Sequence, residues 1–168
     1  MKDTRLIGGL LVAALAFILP ALAQAPAKSL DDNRRLVLML VNAERDRAGC
    51  APLRADPRLA HAAQGHAEAM ARGDFFDHVG LDGGDMVDRV RAQAYAFSRL
   101  AENLAAGWPD AESVVEGWMS SPGHRANILD CRVVETGVGH VHDPRDTPFA
   151  GGLVGYRHYW VQVFGAPR

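Results

Sequence analysis

The sequence predicts an α+β domain with helices packed on a small antiparallel sheet, and three observations carry that prediction. Asp56-Pro57 is an N-cap followed by proline at the first helical position, and Leu59, Ala63, Ala67 and Met70 then recur at helical spacing. Segments 132–141 and 153–164 are instead rich in Val, Tyr and Trp, and they flank the turn-like cluster Asp143-Pro144-Arg145-Asp146. Helical patterns fill the chain up to Cys131 and strand patterns lie beyond it, which is the order of an α+β domain and not of alternating βαβ units.

The N-terminus reads as an export signal. Lys2 and Arg5 give a positive start, residues 6–19 are apolar and uncharged, Pro20 breaks the run, and Ala21-Leu22-Ala23 puts small residues where a signal peptidase reads. The apolar run is about 14 residues, short of the ~20 that span a bilayer as a helix. The alternative is an uncleaved anchor. Residues 1–23 are therefore assigned to the signal, 24–29 to a short Ala/Pro linker and 30–168 to one domain. No cysteine stands at the cleavage point, which argues against a lipoprotein.

From Ser29 a helix is expected, with Asp31 and Asp32 in its positive first turn, an apolar stripe through Leu36, Leu40 and Ala43, and Gly49 beyond its end. The Asp56-Pro57 helix runs to Gly73, and its many alanines suit close packing against a neighbour. A loop with Asp82-Gly83-Gly84-Asp85 precedes a short helix over residues 86–94. Trp108-Pro109-Asp110 opens another helix, with Val114, Val115 and Trp118 on its apolar stripe. Ser121-Pro122 ends that helix and starts the next, Ser121 as cap and Pro122 first inside. The two Val/Tyr/Trp segments then form a β-hairpin.

Composition narrows the function. With 48% hydrophobic and 23% charged residues the chain can bury a core and is not a disordered tail. Eighteen basic against 20 acidic residues leave no excess to neutralise a phosphate backbone, so nucleic acid is not an expected partner. Cys50 and Cys131 both lie in the exported part, and an even count in an oxidising compartment suggests one disulfide, the alternative being two buried thiols.

Three segments carry residues suited to chemistry. His78 follows two aromatics just past a helix end, in Gly73-Asp74-Phe75-Phe76-Asp77-His78. Glu102 stands beside Asn103 between helical segments, and His124 is third in the helix start Pro122-Gly123-His124. Neutral imidazoles bind zinc well and a carboxylate completes a His₂Glu set with water in the fourth place. Each residue also has a plain structural reading: loop packing for His78, a helix cap for Glu102, first-turn capping for His124. His140 and His142, two apart on an expected strand, share one face, with His158 on the partner strand; the trio reads as a solvated hairpin face, the alternative being a metal site, while His61 and His66 read as surface or packing residues. Ser120 and Ser121 lie beside His124, but sequence neighbours rarely form a nucleophile–base pair. Trp108, Trp118, Tyr159 and Trp160 read as core, with one or two available to line a pocket.

Taken in order, Leu40-Val41-Asn42, Pro52-Leu53, His78, Asp88-Arg89-Val90, Glu102-Asn103-Leu104-Ala105, Trp118, Ser121-Pro122-Gly123-His124-Arg125-Ala126-Asn127, Gly137-Val138-Gly139 and Tyr159-Trp160-Val161-Gln162-Val163-Phe164-Gly165 resemble the CAP superfamily. This is the family of cysteine-rich secretory, antigen-five and pathogenesis-related proteins, and the resemblance is to its bacterial form and covers about three quarters of the chain. It implies a three-layer α-β-α sandwich with a cleft holding two His and two acidic residues. His78, Glu102 and His124 match three of the four; the fourth falls on Ser121, and Glu116 is on another helical face. The implied cleft is His78, Glu102, Asn103 and His124, with His78, Glu102 and His124 as ligands of Zn²⁺ or another divalent cation. Asn103 either supports Glu102 or binds backbone.

The function implied is a secreted or periplasmic binding module, monomeric and without a membrane span once the signal is cleaved, whose cleft takes a divalent cation, a lipid or a cell-envelope partner. The alternative is a metal-assisted hydrolase, peptidase or esterase, working in the same cleft. No catalytic residue is assigned.

Overall fold

The computed structural model describes residues 30–148 and 155–168; the expected signal and linker, and the first two residues of the second hairpin strand, lie outside them. In chain order the elements are α1 (Leu30–Arg47), β1 (Arg54–Ala55), α2 (Pro57–Gly73), α3 (Met86–Ala92), β2 (Phe97–Ala106), α4 (Ala111–Ser120), α5 (Pro122–Ile128), β3 (Glu135–His142) and β4 (His158–Pro167). The sheet order is β1-β3-β4-β2. β4 pairs antiparallel with both β3 and β2, and the two-residue β1 adds a parallel pair to β3, so the sheet is mixed and not wholly antiparallel as expected. The α+β class holds.

Side-chain alternation along β4 builds the layers. Trp160 and Phe164 face one core with Val37 and Val41 of α1, Trp118 of α4 and Ile128 of α5. Tyr159, Val161 and Val163 face the other, with Leu59, Ala63 and Met70 of α2 and Val90 of α3. Every one of these is at most 1% exposed, and each buried large side chain contributes roughly 1.5–3 kcal/mol. A strand buried on both faces is thus the spine of a three-layer sandwich.

Helix ends follow the sequence closely. Asp56 caps α2 through Arg58 and Leu59 backbone N–H groups, Asp85 and Asp88 form a reciprocal capping box on α3, and Asp110 caps α4 through Ser113 N–H. Ser121 sits at the cap position of α5, yet its side chain makes no capping bond. In α1 the buried line is Asn33, Val37, Val41 and Arg45; Leu36 and Leu40 are half-buried and Ala43 is exposed, so the inward face lies one residue on from the apolar stripe. Two polar residues occupy that face, and apolar periodicity alone passes them over.

Gly137 and Gly139 of β3 let α2 ride directly on the sheet. A Cβ at Gly137 would land within the backbone of Leu59 and Ala60, and one at Gly139 within that of Ala63. Since a helix backbone cannot yield as a side chain can, Gly137→Ala is expected to lower unfolding free energy toward the top of the roughly 1–3 kcal/mol range for overpacking. Urea unfolding checks this, and an unchanged midpoint would mean that α2 lifts without cost.

Candidate functional site

The cleft forms along β2, which is an edge strand with α2 and α3 on one side and α4 and α5 on the other. The sequence predicts no strand here. Leu100–Ala106 is rich in alanine and carries Glu-Asn, a composition of low strand propensity, and it is extended because residues 99–106 pair with 159–166 of β4. Its exposed edge is closed by side chains: Trp118 Nε1 donates to Leu104 O at 3.0 Å and Asn127 Nδ2 to Glu102 O at 3.2 Å.

Because successive residues of a strand face opposite ways, Glu102 and Asn103 point into different layers. Asn103 faces α5: its Nδ2 donates to His124 O at 3.1 Å and its Oδ1 accepts from Asn127 Nδ2 at 2.9 Å. Of its two expected roles, it takes the backbone one. Glu102 faces α3 and is committed to two partners. Its oxygens accept from Arg89 Nη2 at 3.1 and 2.9 Å and from His78 Nδ1 at 2.8 Å. Arg89 also donates to His78 O at 3.0 Å and Gly84 O at 3.2 Å, so one guanidinium fixes the carboxylate and the loop carrying the imidazole.

The exposure gradient across this cluster gives it a direction. The Glu102 side chain is 3% exposed, Arg89 17% and His78 57%. A carboxylate only accepts, so the proton on His78 facing it is on Nδ1, and Nε2 is turned away from Glu102. The hydrogen bond to Glu102 raises the His78 pKa, with burial working against it. His124 moves the other way, lowered first by burial and then by the charge of His78. Beneath the loop, His66 is 1% exposed, with Nε2 2.8 Å from Asp77 O, one residue before His78. Nε2 must carry a proton to bond a carbonyl, and burial holds this ring's pKa down.

With its pKa raised in the folded protein, the His78–Glu102 pair adds stability that is full below the unfolded value and lost as pH rises through the folded one. Glu102→Gln should bring the His78 NMR titration midpoint down toward that of a free imidazole. A midpoint that does not move would show that Glu102 does not charge the ring.

His78 and Glu102 therefore meet directly, His124 lies within electrostatic reach of His78, and Asn103 serves α5. Among the described residues no three His, Cys, Asp or Glu side chains are grouped to hold a metal ion. Arg89 and His66 were not legible as site residues; Arg89 lay unremarked within Asp88-Arg89-Val90. Glu116 is exposed on α4. Cys50 and Cys131 are joined, with Cα atoms 5.0 Å apart. The solvated reading of the hairpin histidines is corrected for His140, whereas His142 is exposed and His158 half-buried. His140 is fully buried, stacked 3.5 Å from the Trp160 ring directly across the ladder, and its Nε2 is 3.1 Å from His158 Nδ1. Burial pushes its pKa down to about 3. Of the aromatics read as core, Trp118, Tyr159 and Trp160 are buried and Trp108 is 41% exposed.

Comparison with known proteins agrees with this architecture. Residues 38–164 match the model of the cysteine-rich secretory protein (CAP) family. The uncharacterized protein YkwD of Bacillus subtilis is 34% identical over 113 residues, 67% of this chain and 44% of that protein. The uncharacterized membrane protein YlbC of the same organism is 35% identical over 107 residues, 64% of this chain and 31% of that one. The chain thus spans less than half the length of these curated relatives. An extracellular SCP-domain protein of Bacillus anthracis superposes with a TM-score of 0.68 at 26% identity, over 84% of this chain and 45% of that one. An outer surface protein of Borrelia burgdorferi gives 0.72 at 18% identity, over 84% and 97%, a likeness of fold. With its family match, its paired cysteines and its α-β-α layers in agreement, the chain belongs to the cysteine-rich secretory protein family.

Proposed function

We propose that this protein is an extracytoplasmic binding module that takes the polar head of an amphipathic cell-envelope ligand at His78 and His124. The observation that supports this best is the pairing of buried Glu102 with half-buried Arg89, which holds an imidazole that is itself more than half exposed. A residue oriented from behind by a carboxylate–guanidinium pair and open in front is pre-organised to meet a ligand. Exposed aromatic surface adjoins it in the chain: Phe76 is two residues before His78, and its ring lies 5.9 Å from that of Tyr156. Export is supported by the expected signal and by relatives described as extracellular and outer surface proteins.

Zinc fits the arrangement only in part. His78 and His124 would be its nitrogen ligands and Glu102 would orient His78 through Nδ1 without touching the metal, because both Glu102 oxygens are engaged and Arg89 places a positive charge 2.9 Å away. Two imidazoles hold zinc weakly beside three or four ligands. Hydrolysis in this cleft would rest on that same weak metal site, so binding is the better-supported function.

Two titrations test the reading. Vesicles of phosphatidylglycerol and phosphatidylethanolamine should co-sediment with the exported protein, and His78→Ala and Phe76→Ala should each weaken binding about tenfold, roughly 1.4 kcal/mol. Calorimetry with zinc alone should show binding weaker than about 1 μM. Tighter zinc binding, lost in both His78→Ala and His124→Ala, would replace the amphiphile with a metal.

A further inference from the structure

The outer edge of β3 is closed at both ends and open between them. At one end β1 covers it: Asp56 N donates to Thr136 O at 2.9 Å, and the chain then turns away into α2. At the other end Gln64 Oε1 accepts from His140 N at 3.0 Å and from Arg34 Nη1 at 3.0 Å. Both bonds show that the even-numbered residues of β3 turn their backbone groups away from β4. Val138 lies midway and turns its N–H and C=O the same way. No loop, cap or side chain among the described residues supplies a hydrogen bond to them.

This open stretch is the floor of a cavity of about 340 Å³ between α1 and α2. Arg34 and Leu38 wall it on one side, Ala60 and Gln64 on the other, and Ala55 at the β1 end. From Thr136 to His140 the edge runs four residue steps, ~13 Å of extended chain. Backbone donors and acceptors that lack partners are costly when buried and template another strand when reachable. The floor is recessed between two helices and Val138 is only 7% exposed. A second folded copy cannot bring a sheet edge down to it, whereas a single extended chain can lie along it.

We propose that this slot binds an extended peptide of about four residues by β-strand addition, its backbone pairing with Val138 N–H and C=O and one apolar side chain resting on Leu38. The slot is independent of the His78 cleft, which lies along β2 at the opposite edge of the sheet. Main-chain pairing supplies the affinity, so the preference is for small, uncharged, β-forming residues and not for one sequence.

The test uses ¹⁵N-labelled exported protein and a pool of capped tetrapeptides built from Ala, Val, Thr and Leu. Expected are shifts centred on Val138, Gly139 and the Gln64 side-chain amide, with hydrogen exchange at Val138 slowed at least about tenfold. Ala55→Trp, at an exposed β1 position beside the slot, should abolish these changes without lowering Tm, and His78→Ala should leave them intact. The absence of peptide-induced shifts at Val138, or their survival in Ala55→Trp, would overturn the proposal. So would binding that appears only after Gln24–Ser29 are removed, since the slot would then be the seat of the chain's own N-terminal segment.

Discussion

Arg45→Met is expected to lower unfolding free energy by about 3–5 kcal/mol, much of the ~5–15 kcal/mol total of a typical domain. Arg45 is fully buried on α1 and donates to four carbonyls: Ala51 O at 2.9 Å, Ile128 O at 2.8 Å, Asp130 O at 3.0 Å and Val133 O at 3.0 Å. Burial lowers its pKa, and the charge of Asp130 partly restores it. Four acceptors in different directions fit a guanidinium fork and do not fit an ammonium, so Arg45→Lys should recover little. Methionine fills the volume but leaves the carbonyls without donors in a dry place, each costing about 1–3 kcal/mol. Urea unfolding followed by tryptophan fluorescence measures the change. A loss below about 1 kcal/mol would mean that water enters and replaces the fork.

The second large effect concerns the Cys50–Cys131 bond, which joins positions 81 apart and closes the same loop that Arg45 clasps. In the chain-entropy model a loop of that length is worth about 4.5 kcal/mol through the unfolded state. Reduction, or the paired Cys50→Ala and Cys131→Ala change, should lower stability by that amount. Cys50 N donates to Arg45 O at 2.9 Å and Arg45 donates to Asp130 O beside Cys131, so the two sites are neighbours and their losses should couple by about 0.5–3 kcal/mol instead of adding. Together they approach the whole stability of a domain, and the reduced Arg45→Met protein should be largely unfolded at room temperature. Identical melting with and without reductant would leave the bond without a stabilising role.

What was legible in the sequence follows from how local each determinant is. Asp56-Pro57, Asp85 and Asp110 set helix starts through contacts two or three residues away, and the helices begin where those residues stand. β2 takes its conformation from β4, some sixty residues later, and its own alanines give no hint of that. The hairpin histidines could be placed on paired strands, but burial of His140 depends on Trp160 lying opposite it. In the cleft, His78 and Glu102 could be named because their side chains suit chemistry. Arg89 could not, because an arginine on a short helix looks solvated until the carboxylate it faces is known.

Glu102 and Asn103 also make the cleft a proofreader of strand alignment. They are adjacent, chemically unlike, and sent to opposite layers by the pleat of an edge strand. A slip of β2 by one residue would bring either Glu102 against the carbonyl of His124 or Asn103 against Arg89, according to its direction. Either encounter is penalised, the first by repulsion and the second by an arginine left without its carboxylate. These two residues therefore disfavour a one-residue slip of this strand, so mutation at either position should be felt in folding fidelity.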